Sequence, residues 1–525
     1  MPKMIGFAPM RSTTTKTIFL VTAFALLAIA VCSSSLLSPK LSASNLSSFI
    51  ALAPQSSTSQ DPALAARIAR IENGLLPAVV IKGQPPAPMA IAARMEHYKV
   101  PGVSVAFFDH GQIVWTGAYG FADAAAKKSV TPDTLFQAAS ISKPVTALAA
   151  LRLVQEGKLS LDEDVNVKLK TWKVSENAFT EKEKVTIRRI LSHSAGLTVH
   201  GFAGYASDEP VPTVVQILNG EKPANSDPIR VDVVPGTLWR YSGGGFVVLQ
   251  TLLSDVTGKP FPQIMSELVL RPAGMTHSTY EQPLPKNLWP EAATPYRANG
   301  DPVKGGWHTY PEMAPAGLWT TPSDLARAAI EVQNEYAGKS SKILSQDMAR
   351  QMLTPQMGTW GLGFSLESTG GKPSFSHGGA NEGFRCNLFA YTDGGQGLAV
   401  MTNSDSGGEL TEEIYRAVAK EYAWPDFHPT EHALLKMNPA QFAAYAGVYE
   451  IEGVGKLTVT LKDSAPFIQA DPLGPDPIEL LPDSPTQFFI LSGDITFTFQ
   501  KDEKGAVTAL VLHAGPQTFQ ANKIS

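Results

Sequence analysis

The chain has 525 residues, 43% hydrophobic and 17% charged, which suits a globular protein of two or three domains. A net charge of −5 without basic runs leaves no electrostatic footprint for nucleic acid or an anionic lipid surface, so small molecules or peptides are the expected partners. Of the two cysteines, Cys32 belongs to the N-terminal segment and Cys386 is left unpaired, which excludes an intrachain disulfide or a cysteine metal site once that segment is gone.

Lys3, Arg11 and Lys16 precede an apolar run from Ile18 to Val31, followed by Cys32-Ser33-Ser34-Ser35. Residues 1–35 read as a secretory signal, so the chain is expected to be exported, to the periplasm or the medium. The run is short for a spanning helix, about 14 residues against roughly 20, but its cleavage site is poorly defined and an uncleaved anchor stays open. Cys32 would allow a lipid anchor, although Val31 is a poor match to the small residue expected before it. The membrane is a partner only in those two cases. Residues 36–60, rich in Ser, Ala, Pro and Gln, read as a linker.

Ordered structure is predicted from residue 61. Leu64, Ile68, Ile71 and Leu75 mark a helix, and a proline-rich break at Pro85–Pro88 leads to a second helix ending near Tyr98. The runs 102–108 and 112–119, joined by Asp109-His110-Gly111, predict a strand pair. Next comes Ala138-Ala139-Ser140-Ile141-Ser142-Lys143-Pro144, opening a helical apolar pattern that stops at Gly157. Ser140 and Lys143 are three residues apart and share a helix face. A lysine buried near the positive end of a helix dipole would be held neutral and could take the serine's proton. Alone, so short a pattern arises often by chance and reads first as a serine cap beside a surface lysine.

Residues 159 to about 357 predict a helical subdomain with many Pro and Gly breaks. Strand patterns return at 374–377, 384–391 and 398–402, before a helix from Glu409 to about Tyr422. Strands at both ends of this region imply one sheet built from distant parts of the chain. The segment 426–438 reads as a linker, and 439–525, with short strands at 457–461, 488–491, 495–499 and 507–512, as a small all-β barrel or sandwich. The main domain is then 61–425.

Two further stretches carry chemistry. Arg240-Tyr241-Ser242-Gly243-Gly244-Gly245 places a tyrosine on a glycine-rich loop, where a nearby lysine would lower its pKa and make it a general base. Ser376-His377-Gly378-Gly379-Ala380 ends a strand on glycines that let a substrate approach the backbone, and an N–H there could face that of Ser140 as an oxyanion hole. Each has an ordinary reading: a buried tyrosine before a flexible turn, and a glycine turn with a surface histidine. His193, His200, His277 and His308 lack zinc-site spacing and read as structural or surface histidines. There is no Gly-x-Ser-x-Gly elbow and no Ser-Asp-Asn box, which argues against lipase-type and class A enzymes.

Together, Ser140-x-x-Lys143, Tyr241 and His377-Gly378-Gly379 resemble the serine β-lactamase and penicillin-binding-protein superfamily. The similar branch is that of class C β-lactamases, D-Ala-D-Ala carboxypeptidases, D-aminopeptidases and family VIII esterases. Val100-Pro101-Gly102, Leu191–Leu197, Arg271–Met275 and Ala316–Leu325 add family-like surroundings. The resemblance, over about residues 85–422, implies an α+β fold in which helices flank an antiparallel sheet, with a helical subdomain. It implies Ser140 as acylated nucleophile, Lys143 as its activator, Tyr241 as general base, the N–H groups of Ser140 and Ala380 as oxyanion hole, and no cofactor. Gly243 stands where the family's Tyr-x-Asn motif has asparagine, and His377-Gly378-Gly379 replaces its lysine-threonine-glycine box. His377, Gly378, Gly379, Gly243 and Arg385 are thus the expected substrate-binding positions. The tail, with Tyr445–Tyr449 near its start, resembles the lipocalin-like barrel of some relatives. The implied function is an acyl-serine hydrolase of esters or small D-amino-acid amides. The alternatives are a β-lactamase and, in another class, a catalytically weak cell-wall peptide sensor on the same scaffold.

Overall fold

The computed structural model describes residues 61–525 apart from 453, 471–473 and 516. The expected signal and the linker at 36–60 lie outside the described residues. Among those described, no helix is long and apolar enough to cross a membrane. The chain divides into two compact units, one comprising Ala90–Asp426 with the helix before residue 74, the other Gly74–Met89 with Phe427–Ser525.

In the first unit, Gly102–Asp109 and Gln112–Asp123 form the expected hairpin, and Gly397–Thr402 pairs antiparallel with the first of them, Val105 opposite Val400. The sheet has seven strands, in spatial order 128–129, 112–123, 102–109, 397–402, 384–391, 372–381 and 365–369. The two ends of the domain therefore meet at its centre. All of 397–402 is buried, because helices cover both faces. On one face Ala106, Phe108, Ala399 and Met401 join a core that includes Leu325, Ala329 and Val332 of the helix Pro322–Tyr336. On the other face Phe107 stacks on Tyr422, at the end of the helix Gly407–Tyr422, with ring centroids 4.0 Å apart. The alternation of strand side chains assigns each residue its layer.

The helix Ser142–Gln155 runs through the interior of this unit and buries residues on every side, Lys143 and Thr146 among them. The helix Gly243–Thr257 packs near it. Residues 243–245, read from the sequence as a flexible loop, are its first turn: Ser242 Oγ accepts from Gly245 N–H at 3.0 Å and caps it.

In the second unit nine strands, ordered 474–479, 465–470, 455–462, 447–451, 517–523, 507–514, 495–501, 487–489 and 481–482, curl into a nearly closed barrel. The two edge strands are consecutive in the chain. Phe488, Phe497, Phe499, Tyr445 and Tyr449 fill the interior. The segment read as a linker contains a strand, Thr430–His432, which pairs in parallel with Val79–Ile81. A pairing across some 350 residues leaves no local mark in sequence.

Candidate active site

Ser140 lies in the single turn Ala139–Ile141 that leads into the Ser142–Gln155 helix, and Lys143 lies in the first turn of that helix. Ala139 has φ 50°, a left-handed conformation rare for a residue with a side chain. It is fixed on either side: Ala138 N–H donates to Leu318 O at 2.8 Å, and Ser142 Oγ accepts from Leu318 N–H at 3.0 Å. Cys386, a buried free thiol, donates to Ala138 O at 3.1 Å. Ser140 is thus carried on a strained, well-bonded turn.

Lys143 Nζ lies 2.9 Å from Ser140 Oγ and 3.0 Å from the Pro315 carbonyl. Among the described residues no carboxylate pairs with it, and burial lowers its pKa to about 7. At neutral pH a large share of the amine therefore carries a free lone pair beside the serine hydroxyl.

The Tyr241 ring covers that amine, with Nζ 4.9 Å from the ring centroid, and its hydroxyl faces Ser140. Burial pushes the phenol up from its usual value, the opposite of the direction expected from sequence. The expectation required a charged lysine, and the burial that covers both groups leaves Lys143 without a secure charge. Tyr241 is accordingly a protonated phenol at neutral pH.

The strand Lys372–Asn381 brings His377, Gly378, Gly379 and Ala380 to the same cleft. A Cβ on Gly379 would collide with Ala138 O and Cys386 Sγ, so glycine is what lets this strand run against the turn that carries Ser140. Ala380, next along this strand, lines the same cleft as Ser140. His377 Nδ1–H donates to Gly378 O at 2.6 Å, leaving the Nε2 lone pair unpartnered. Burial, with Lys143 nearby, drives the His377 pKa to about 3, so the ring is neutral. Arg385 lines the cleft, but Asp405 pairs with it at 3.0 Å and the carbonyls of Asn381 and Phe384 each accept from it at 2.8 Å. Its charge is largely spent within the protein.

Gly243 is tightly flanked. A Cβ there would lie 3.1 Å from both His200 O and the Phe202 ring, so an asparagine would require these two residues to shift. The cleft, of about 630 Å³, is lined further by His200, Phe202, Trp360 and Glu412, none of which carries a motif signal in sequence. His193, set aside above as a structural or surface histidine, is buried against Tyr241.

A family model described as Beta-lactamase matches residues 89–423, nearly two thirds of the chain. The chain belongs to the beta-lactamase family. Residues 434–524 of this beta-lactamase family member match a second model, described as a domain of unknown function (DUF3471). The chain is 27% identical to a D-aminopeptidase of Brucella anthropi over 326 residues, 59% of this chain and 58% of that one. It is 27% identical to penicillin-binding protein 4 of Amycolatopsis lactamdurans over 385 residues, 69% of this chain and 96% of that protein. The octameric penicillin-binding protein homologue from Pyrococcus abyssi shares its fold, with a TM-score of 0.56 at 22% identity, over 82% of this chain and 98% of the other. The beta-lactamase family member is thus a serine hydrolase in the broad sense, on the α+β transpeptidase fold expected from its motifs.

Proposed function

We propose that the chain is an exported hydrolase that acylates Ser140 with esters or small D-amino-acid amides, and that it is a poor β-lactamase. The observation that carries this reading is the buried amine of Lys143 within 2.9 Å of the Ser140 hydroxyl, with a pKa near 7. Neutral Lys143 takes the serine proton as Oγ attacks the carbonyl carbon. The N–H groups of Ser140 and Ala380 receive the negative oxygen of the tetrahedral intermediate. Protonated Lys143 then returns the proton, through the Tyr241 phenol, to the departing alcohol or amine. Water repeats the sequence on the acyl-serine, with Lys143 again as base.

Substrate choice follows from the other wall. A β-lactam carboxylate needs a cation, and the cleft offers a neutral His377 and an Arg385 already paired to Asp405. Losing a charged contact of this kind costs about 1.5–3 kcal/mol, roughly 10- to 150-fold in rate. Export is supported by the basic residues ahead of the Ile18–Val31 run, and N-terminal sequencing of protein from the culture medium or periplasm tests it. For the substrate, kcat/KM for p-nitrophenyl butyrate is set against that for a chromogenic cephalosporin. The ester is expected to win, and a cephalosporin preference would make the protein a β-lactamase.

A further inference from the structure

We propose that His193 is a positioning residue whose backbone and imidazole together hold Tyr241 in place over Lys143 and Ser140. The inference deepens the acyl-serine reading above and rests on it for its kinetic test.

Three contacts converge on one residue. The His193 carbonyl accepts from Arg240 N–H at 2.7 Å. Its Nδ1 accepts from Ser242 N–H at 3.1 Å. Its ring lies against the Tyr241 ring, centroids 4.2 Å apart and planes 30° from parallel. The residues before and after Tyr241 are therefore both bonded to His193, while the tyrosine rests on its imidazole face. Tyr241 has little freedom left to swing away from the serine.

The chemistry requires a histidine-like acceptor at this point. A backbone N–H can only donate, so Nδ1 must be unprotonated and the ring proton must reside on Nε2. Nε2 has no hydrogen-bond partner, and the residue is 2% exposed. Burial, with Lys143, His377 and His200 nearby, holds the ring neutral well below the usual histidine range, so the acceptor persists under acidic conditions. His193 also adopts φ 56°, and its N–H donates to Ile190 O at 3.1 Å. Glycine or asparagine would meet that backbone demand more easily. The presence of histidine is explained by what its ring does for residues 241 and 242.

Tyr241 in turn roofs the Lys143 amine. If it loosens, water reaches Nζ and the lysine pKa climbs back toward its ordinary value. The test compares wild type, His193→Leu and His193→Asn on p-nitrophenyl acetate across pH, with crystal structures of all three. Leucine fills space without an acceptor; asparagine Oδ1 can take the Ser242 N–H. The leucine variant is expected to lose about 100-fold in kcat, the scale of a small misplacement of a catalytic group. Its KM should change little, and the acid limb of kcat/KM should move to higher pH. The asparagine variant should regain at least roughly tenfold of that loss. A leucine variant with wild-type kcat and an unmoved acid limb overturns the proposal, as does a folded asparagine variant no better than leucine. If the leucine variant does not fold, the asparagine variant decides alone: kcat within roughly tenfold of wild type supports the proposal and a deeper loss overturns it. A wild type inert toward esters would sink the hydrolase reading instead. The crystal structures then decide the positioning claim: a Tyr241 hydroxyl displaced from Ser140 in the variants supports it, and an unmoved one overturns it.

Discussion

Lys143 Nζ stands 2.9 Å from Ser140 Oγ in a site where, among the described residues, no carboxylate offsets the lysine's burial. A fixed hydroxyl beside a partly neutral amine is the arrangement general-base activation requires. It comes from local structure, since the turn that carries Ser140 runs straight into the helix that carries Lys143, and from tertiary packing, since the interior dries the amine.

Activity should rise with pH through a single ionisation near 7, as Lys143 loses its proton. Stability carries the same signature. The folded pKa lies below the unfolded value of 10.5, so between about 7 and 10.5 the unfolded chain binds more protons, and unfolding free energy rises with pH across that window. The penalty for burying the lysine is full below pH 7 and gone above 10.5. Lys143→Met should remove this slope and lower kcat/KM by about 100- to 10,000-fold. Urea titrations of both proteins at pH 6, 8 and 10 check the slope, and parallel curves would place the lysine in contact with water.

On the proposed mechanism Lys143 and Tyr241 pass one proton between them, so their losses should not add. Tyr241→Phe and Lys143→Met are each expected to cost nearly as much as the double variant. A double-mutant cycle with kcat/KM as readout checks this, and additive effects would make one of the two structural.

The Ser140–Lys143 pair was legible in sequence because i,i+3 spacing on a helix is a local property. So were the strands at 102–108 and 398–402 and their origin at distant parts of the chain; that the two lie side by side at the centre of the sheet was not. The protonation state of Tyr241 was not, because it depends on how dry Lys143 is, and dryness belongs to the packed interior. Gly243-Gly244-Gly245 reads as a loop by propensity, yet it opens a helix because Ser242 caps it and the chain at 198–202 crowds it. His193 carried no signal of its role: it lies 48 residues from Tyr241, and only the fold brings the two rings together.

Gly243→Asn, which restores the family's usual residue, should not create a β-lactamase. The added side chain meets His200 O and Phe202, and overpacking of this kind costs about 1–3 kcal/mol. A lowered urea midpoint with unchanged cephalosporin turnover is the expected result.

His377→Lys tests the missing cation. A second amine beside Lys143 should favour substrates bearing a carboxylate by about 10-fold or more relative to neutral esters, and like-charge repulsion should move the acid limb of activity to lower pH. The ratio of cephalosporin to ester kcat/KM, measured alongside the pH profile, reads both effects.

The central claim is that Ser140 becomes acylated, and intact-protein mass spectrometry after exposure to a fluorophosphonate reads it directly. The account predicts one adduct per chain, mapped by peptide sequencing to Ser140, absent from Ser140→Ala, and formed faster as pH rises through 7. An unlabelled wild type, or an adduct that persists in Ser140→Ala, would contradict it.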